Sequence, residues 1–162
     1  MLYALYILAI TVLVAADQFS KYLIVKNMTE NTPINLVDGF FRLNYVKNYG
    51  AGFSILQNQK FFLIAIGICA VIAFSYMLIK STNKETLNRV TYILIIGGTI
   101  GNLIDRINLN YVIDFLDFII FGYDFPVFNL ADSFLTIGCF LLVLSIIMES
   151  KHAKNWINCW WR

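Results

Sequence analysis

The chain has 162 residues, 59% of them hydrophobic and 14% charged, with mean hydropathy +0.71 and net charge +2. That is too apolar and too sparsely charged for a water-soluble domain, and a positive excess this small is no footprint for nucleic acid. Three cysteines at 69, 139 and 159 fit neither a disulfide framework nor a zinc site. The one histidine, His152, sits in the polar tail, so chemistry needing a histidine base or ligand is not expected in the body of the chain.

The expected elements follow in chain order. Crossing a bilayer takes about 20 apolar residues, and four segments approach that length, at about 2–24, 61–79, 90–106 and 127–148. The first, LYALYILAITVLVAA, meets Asp17 and Lys21 near its end. It lacks a basic leader and is too long for the apolar stretch of a cleaved signal peptide. Residues 27–59, with Pro33, glycines and the alternating FFRLNYVKN, read as short strands and turns outside the bilayer. The second helix, FFLIAIGICAVIAFSYMLI, carries no charge; a short polar link, 81–89, follows it. The third, VTYILIIGGTIGNLIDR, ends in Asn102, Asp105 and Arg106, and its Gly97 and Gly101 form a small-residue packing motif. Residues 107–126 are aromatic and acidic and are expected to be a second long loop. The fourth helix opens at VFNLAD and runs uncharged from Ser133 to Met148. The whole is expected to be one all-α membrane domain over 1–162, a four-helix bundle with a small sheet.

Helix order alone makes a further point. Alternating spans place the C-terminal ends of the first and third helices and the N-terminal end of the fourth at the same membrane face. Those ends carry Asp17, Lys21, Asn102, Asp105, Arg106, Asn129 and Asp132, and both long connections emerge there. Lys and Arg divide evenly, six to each side, but the 81–89 link is short and densely basic. This leans toward cytoplasmic termini with the polar face outside.

An ionisable group carried into a membrane segment reads as functional by default. Asp132 is such a group, and Asn129 lies three residues earlier on the same helix face. Asn129 reads either as a helix N-cap or as a site residue. Asp114, in YVIDFLDF, reads either as a loop acid or as a site acid, and Asp117 as a loop or interface acid. Asp17 and Lys21, one turn apart, fit an intrahelical ion pair better than direct catalysis; Asp105 and Arg106 fit interface anchoring. Ser20 and Lys21 point to different sides of a helix and make no dyad. No metal-ligand spacing and no phosphate loop occurs. What remains is carboxylate chemistry: two acids sharing a partly buried site, one protonated and one acting as base on water. Asp114 and Asp132 are the candidate partners. The competing class is a small transporter with acids strung through the bilayer as a relay; a scaffold whose charges merely pin helix ends leaves Asn129 and Asp132 unexplained.

The stretches DQFSK (17–21), NYGAGFS (48–54), GNLIDR (101–106), VIDF (112–115) and FNLADS (128–133) together resemble the lipoprotein signal peptidases, or signal peptidase II, membrane aspartyl proteases of bacteria. The resemblance covers nearly the whole chain. It implies four spans in the cytoplasmic membrane with both termini cytoplasmic, a β-sheet cradle from residues 27–59 and an active site near the outer face. It places the catalytic pair on Asp114 and Asp132 and the supporting residues on Asp17, Lys21, Asn48, Gly50, Asn102, Arg106 and Asn129, with Asp105 structural. It also implies a prolipoprotein substrate bearing a diacylglyceryl-cysteine, cut just before that residue, with lipid around a monomeric enzyme, no nucleic acid, no metal and no cofactor. One departure is Gly52, where the family pattern is closer to alanine.

Overall fold

The computed structural model describes residues 2–50, 56–82 and 85–160, with side chains as far as Met148. Four helices form: α1 (Leu2–Asn27), α2 (Lys60–Lys80), α3 (Thr86–Leu109) and α4 (Leu130–Trp160). Each is long and apolar enough to cross a membrane, as expected from the four apolar segments. The chain is thus a multi-pass membrane protein. Its exposed apolar side chains, among them Phe61, Ile72 and Phe140, face outward where lipid would solvate them.

The bundle is organised around α3. In α3, 56% of the span is buried, against 11% for α1 and 17% for α4, and α3 packs on all three other helices. Glycines make that approach possible. A Cβ on Gly98 would lie 2.5 Å from the Ala131 carbonyl oxygen, and one on Gly101 would lie 2.6 Å from Asp17 Oδ2. The small-residue motif therefore marks helix packing, as its spacing implied. Toward the opposite end of the bundle, Asn88 meets Ser145, and Arg89 donates to the Tyr6 hydroxyl at 3.0 Å.

Beyond the polar end of the bundle lies a four-stranded antiparallel sheet in the order β1 (Ile34–Val37), β2 (Phe41–Asn48), β3 (Val112–Ile120) and β4 (Tyr123–Asp124). Here the structure enlarges the expectation. Residues 27–59 supply only β1 and β2, while the connection read as a loop, 107–126, supplies β3 and β4. Helix α3 stops at Asn110, whose left-handed backbone (φ 73°) turns the chain into β3. The run VIDFLDFII is strand-forming, and β2 pairs along it with Arg42 opposite Asp117 and Val46 opposite Asp114. Asp117 is accordingly no loop acid. It is buried, with Arg42 Nε at 2.6 Å and Asn44 Nδ2 at 3.0 Å. Beneath the sheet, Ile24 of α1 packs with Tyr45, Ile113 and Phe115.

Candidate active site

Five elements meet where the sheet joins the bundle. The sequence places Asp132 at the third position of α4, and the local geometry explains its orientation. Asn129 Oδ1 accepts from the Asp132 backbone N–H at 2.9 Å, and Asp132 Oδ2 accepts from the Asn129 N–H at 3.2 Å. This reciprocal pair is a capping box built from Asn and Asp. It satisfies two orphan donors of the helix start and fixes both side chains. The helix start is in turn tied to β3: Leu116 N–H donates to Phe128 O at 2.8 Å, and Phe128 N–H donates back to Leu116 O at 3.0 Å. Asn129 is thereby carried up to Asp114.

Asn129 Nδ2 donates to Asp114 Oδ1 at 2.6 Å, and Asn48 Nδ2, from the end of β2, donates to Asp114 Oδ2 at 2.9 Å. Asn102 Nδ2, from α3, donates to Asp132 Oδ1 at 2.7 Å. The Asn102 amide cannot turn over, because its Oδ1 already accepts from Lys21 Nζ at 3.1 Å and Asn129 Nδ2 at 3.2 Å. Arg106 lies beside the two acids with Nη2 donating to the Gly50 carbonyl at 2.9 Å, and the Gly50 N–H donates to Asn48 Oδ1 at 2.8 Å. The supporting residues named from the sequence thus form one connected hydrogen-bond network around two carboxyls.

Asp114 is 1% exposed. Burial, and then the charge of Asp132 nearby, push its carboxyl up to about 7, with the amides of Asn48 and Asn129 pulling the other way. A carboxyl balanced near neutrality can hold a proton or release it within one reaction cycle. Both acids line one cavity of about 790 Å³, whose other walls include Arg106, Asn48, Val127, Phe128, Leu135 and Ile137. It pairs a polar floor with an apolar flank on α4.

Behind the acids lies a second, fully buried cluster. Lys21 Nζ stands 2.8 Å from Asp17 Oδ2 and 2.9 Å from Asp105 Oδ2. The intrahelical pair expected from the i, i+4 spacing is present, yet Asp105 joins it rather than Arg106. Two residues near the site were missed in the sequence reading. Gln18 donates to Asp105 Oδ1 at 2.9 Å and Gly101 O at 3.1 Å. Lys47 lines the main cavity, paired with Glu30 at 2.7 Å. The signal for Gln18 was its place inside DQFSK. For Lys47 the sequence offered none, since alternation places it on the opposite strand face from Asn48. Gly52 and the rest of 51–55 lie outside the described residues, so the departure at that position has no structural account.

The chain is similar to known proteins over most of its length. Residues 9–148 match the family model for signal peptidase (SPase) II. A lipoprotein signal peptidase of Streptococcus thermophilus (strain CNRZ 1066) is 44% identical, covering 91% of this chain and 95% of its own. One of Bacillus pumilus (strain SAFR-032) is 39% identical, covering 93% and 96%. A solved bacterial membrane enzyme at 2.3 Å resolution superposes with a TM-score of 0.86 at 35% identity, covering 92% of this chain and 91% of that one. A second, at 1.9 Å resolution, gives 0.80 at 36% identity, covering 88% and 92%.

Proposed function

The chain belongs to the signal peptidase II family and is a peptidase, and from that premise we propose that it is an aspartyl endopeptidase that removes signal peptides from diacylglyceryl-modified prolipoproteins. The cut falls just before the lipidated cysteine, and the catalytic dyad is Asp114 and Asp132. The observation that carries this reading is the shared cavity: two carboxyls on one polar floor, each held by asparagine amides, beside an apolar wall of α4.

The reaction needs nothing but water. Asp132, ionised, takes a proton from a water whose oxygen attacks the scissile carbonyl carbon. Asp114, protonated, hydrogen-bonds to the carbonyl oxygen and gives it the proton as the tetrahedral diol forms. Asp132 then passes its proton to the leaving nitrogen, the C–N bond breaks, and Asp114 recovers its proton from the collapsing diol. Both carboxyls end as they began. Arg106, tied to Gly50, lines the cavity and orients the peptide backbone there. The diacylglyceryl chains stay against Leu135 and Ile137, so the substrate need not leave lipid. The β-sheet, with the aromatic β3–β4 hairpin at 118–125, closes over the peptide. In this reading the chain works as a single-domain monomer in the bacterial cytoplasmic membrane, with both termini cytoplasmic and the cavity near the outer face.

The test is cleavage of a purified diacylglyceryl-modified prolipoprotein in detergent with EDTA present throughout. Wild type is expected to cleave, while folded Asp114→Asn and Asp132→Asn lose roughly 10³-fold or more in kcat. A variant that keeps near-normal turnover removes the dyad, and loss of wild-type activity to EDTA implicates a metal.

A further inference from the structure

Asp17, Lys21 and Asp105 do not line the cavity that holds the two carboxyls, yet they form a buried ion cluster behind it. Each carboxylate of this cluster has a second partner besides the ammonium. Asp17 Oδ1 accepts from the backbone N–H of Ala131 at 3.0 Å, and Ala131 is the residue before Asp132. Asp105 Oδ2 accepts from the backbone N–H of Ile113 at 3.2 Å, and Ile113 is the residue before Asp114. The two acids of the dyad therefore hang from two backbone clamps, one on α4 and one on β3. A single ammonium joins those clamps, and the same ammonium reaches Asn102, which orients Asp132.

We propose that Lys21, bridging Asp17 and Asp105, is a positioning residue that fixes the separation and mutual orientation of Asp114 and Asp132. This rests on the dyad reading above and adds to it a part for three residues that never meet substrate. The surroundings are built to keep this tie rigid. Lys21 is 1% exposed and Asp17 0%, so the tie is shielded from bulk solvent. Gly101 leaves no room for a side chain beside Asp17 Oδ2. Gln18 braces the outer side of the cluster, its Nε2 lying 3.2 Å from Asp17 Oδ2 and 2.9 Å from Asp105 Oδ1. A small cavity of about 240 Å³ opens beside Gln18, Lys21 and Asp105. Substitutions at Gln18 thus have space to be tolerated without repacking the bundle.

Positioning differs from mere fold support in what it predicts for kinetics. A shift of about 1 Å in a reacting group costs on the order of 10²-fold in rate while leaving substrate contacts intact. Two variants separate the cases. Lys21→Met alone strands two facing carboxylates and is liable to unfold. The triple variant Asp17→Asn/Lys21→Met/Asp105→Asn removes all three charges and keeps an acceptor oxygen for each backbone N–H. It is expected to keep a thermal midpoint near wild type while kcat falls at least about tenfold and KM stays within about threefold. The milder Gln18→Leu is expected to lower kcat about threefold with KM unchanged, and to speed hydrogen exchange at the Ile113 and Ala131 amides together.

If either folded variant keeps wild-type kcat, the cluster is a fold support only and the proposal falls. Equal loss in kcat and gain in KM overturns it as well, because that pattern marks a damaged binding surface. Asp114→Asn and Asp132→Asn run alongside. Retained cleavage in those two overturns the dyad and this proposal with it, whereas inactive dyad variants beside fully active cluster variants overturn the positioning role alone.

Discussion

Asn129 caps α4 and holds Asp114 with one side chain, so its part as a cap leaves its amide free to serve the proposed site. A cap is satisfied by Asn129 Oδ1, which leaves the Nδ2 hydrogens for Asp114 and Asn102. Asp132 was legible because it is an acid at the head of an apolar run. Asp114 was less so, since nothing in YVIDF says which way a strand residue points until its partner strand is known. Its environment gives a prediction about pH. Burial raises the folded-state carboxyl from 3.8 to about 7, so the proton that the proposed mechanism places on Asp114 is present below that point and lost above it. In turnover assays from pH 5 to 9, kcat/KM is expected to fall roughly tenfold per unit on the alkaline side of about 7; a flat profile to pH 9 would assign the proton elsewhere. The same shift acts on stability. The folded protein holds this proton more tightly than the unfolded chain, so the group's stabilisation is complete near pH 4 and disappears as pH rises through about 7. The thermal midpoint of wild type should decline across that window more steeply than that of Asp114→Asn.

α3 was the most readable element in the chain and is also the one on which the site depends most. Its glycines announced close packing, and its Asn102, Asp105 and Arg106 announced a polar end. What the sequence concealed was that Asp105 and Arg106, adjacent in the chain, serve different neighbourhoods. Asp105 turns toward Lys21 and β3, and Arg106 toward Gly50 and the cavity. The sheet was half legible. β1 and β2 showed as alternation and turn residues, but VIDFLDFII has no clean period of two because β3 is buried on both faces over much of its length. Gly101→Ala tests how packing feeds the site. The added methyl meets Asp17 Oδ2 and Ala131 Cβ, so a loss of about 1–3 kcal/mol in stability is expected together with at least tenfold in kcat. Gly67→Ala meets only the movable end of Leu103 and should lose stability with little change in kcat. Equal kinetic losses in both would mean that helix packing as a whole, rather than contact with Asp17, governs activity.

The molecule is polarised along its length. Charged and amide groups gather at the sheet end, where Asp17, Asn102, Asp114 and Asp132 meet, and the apolar spans lead away from it. The four-span order was enough to predict this convergence, since it follows from alternating direction and needs no side-chain detail. A proton relay would instead spread its acids through the spans. Orientation across the bilayer can be read by labelling. In a background with its native cysteines removed, Tyr123→Cys at the exposed β3–β4 turn should react with an impermeant maleimide on intact spheroplasts, and Thr82→Cys in the α2–α3 link should react only after lysis. The reverse pattern would put the cavity on the cytoplasmic side and remove the proposed substrate from reach.

Lys21 lies in the first span and Asp132 at the head of the last, with Asn48, Asn102 and Asp114 contributed in between. The first span and the first two strands carry only Lys21 and Asn48 of these, and Asp132 comes last. During synthesis, therefore, the earlier spans can enter the bilayer with no working site among them. With the dyad proposed above, hydrolytic competence arrives only when the final helix docks and draws Asn129 up to Asp114. The order in which the chain is made becomes a safeguard: a newly made protease has no means of cutting its neighbours at the insertion machinery before its own folding is complete.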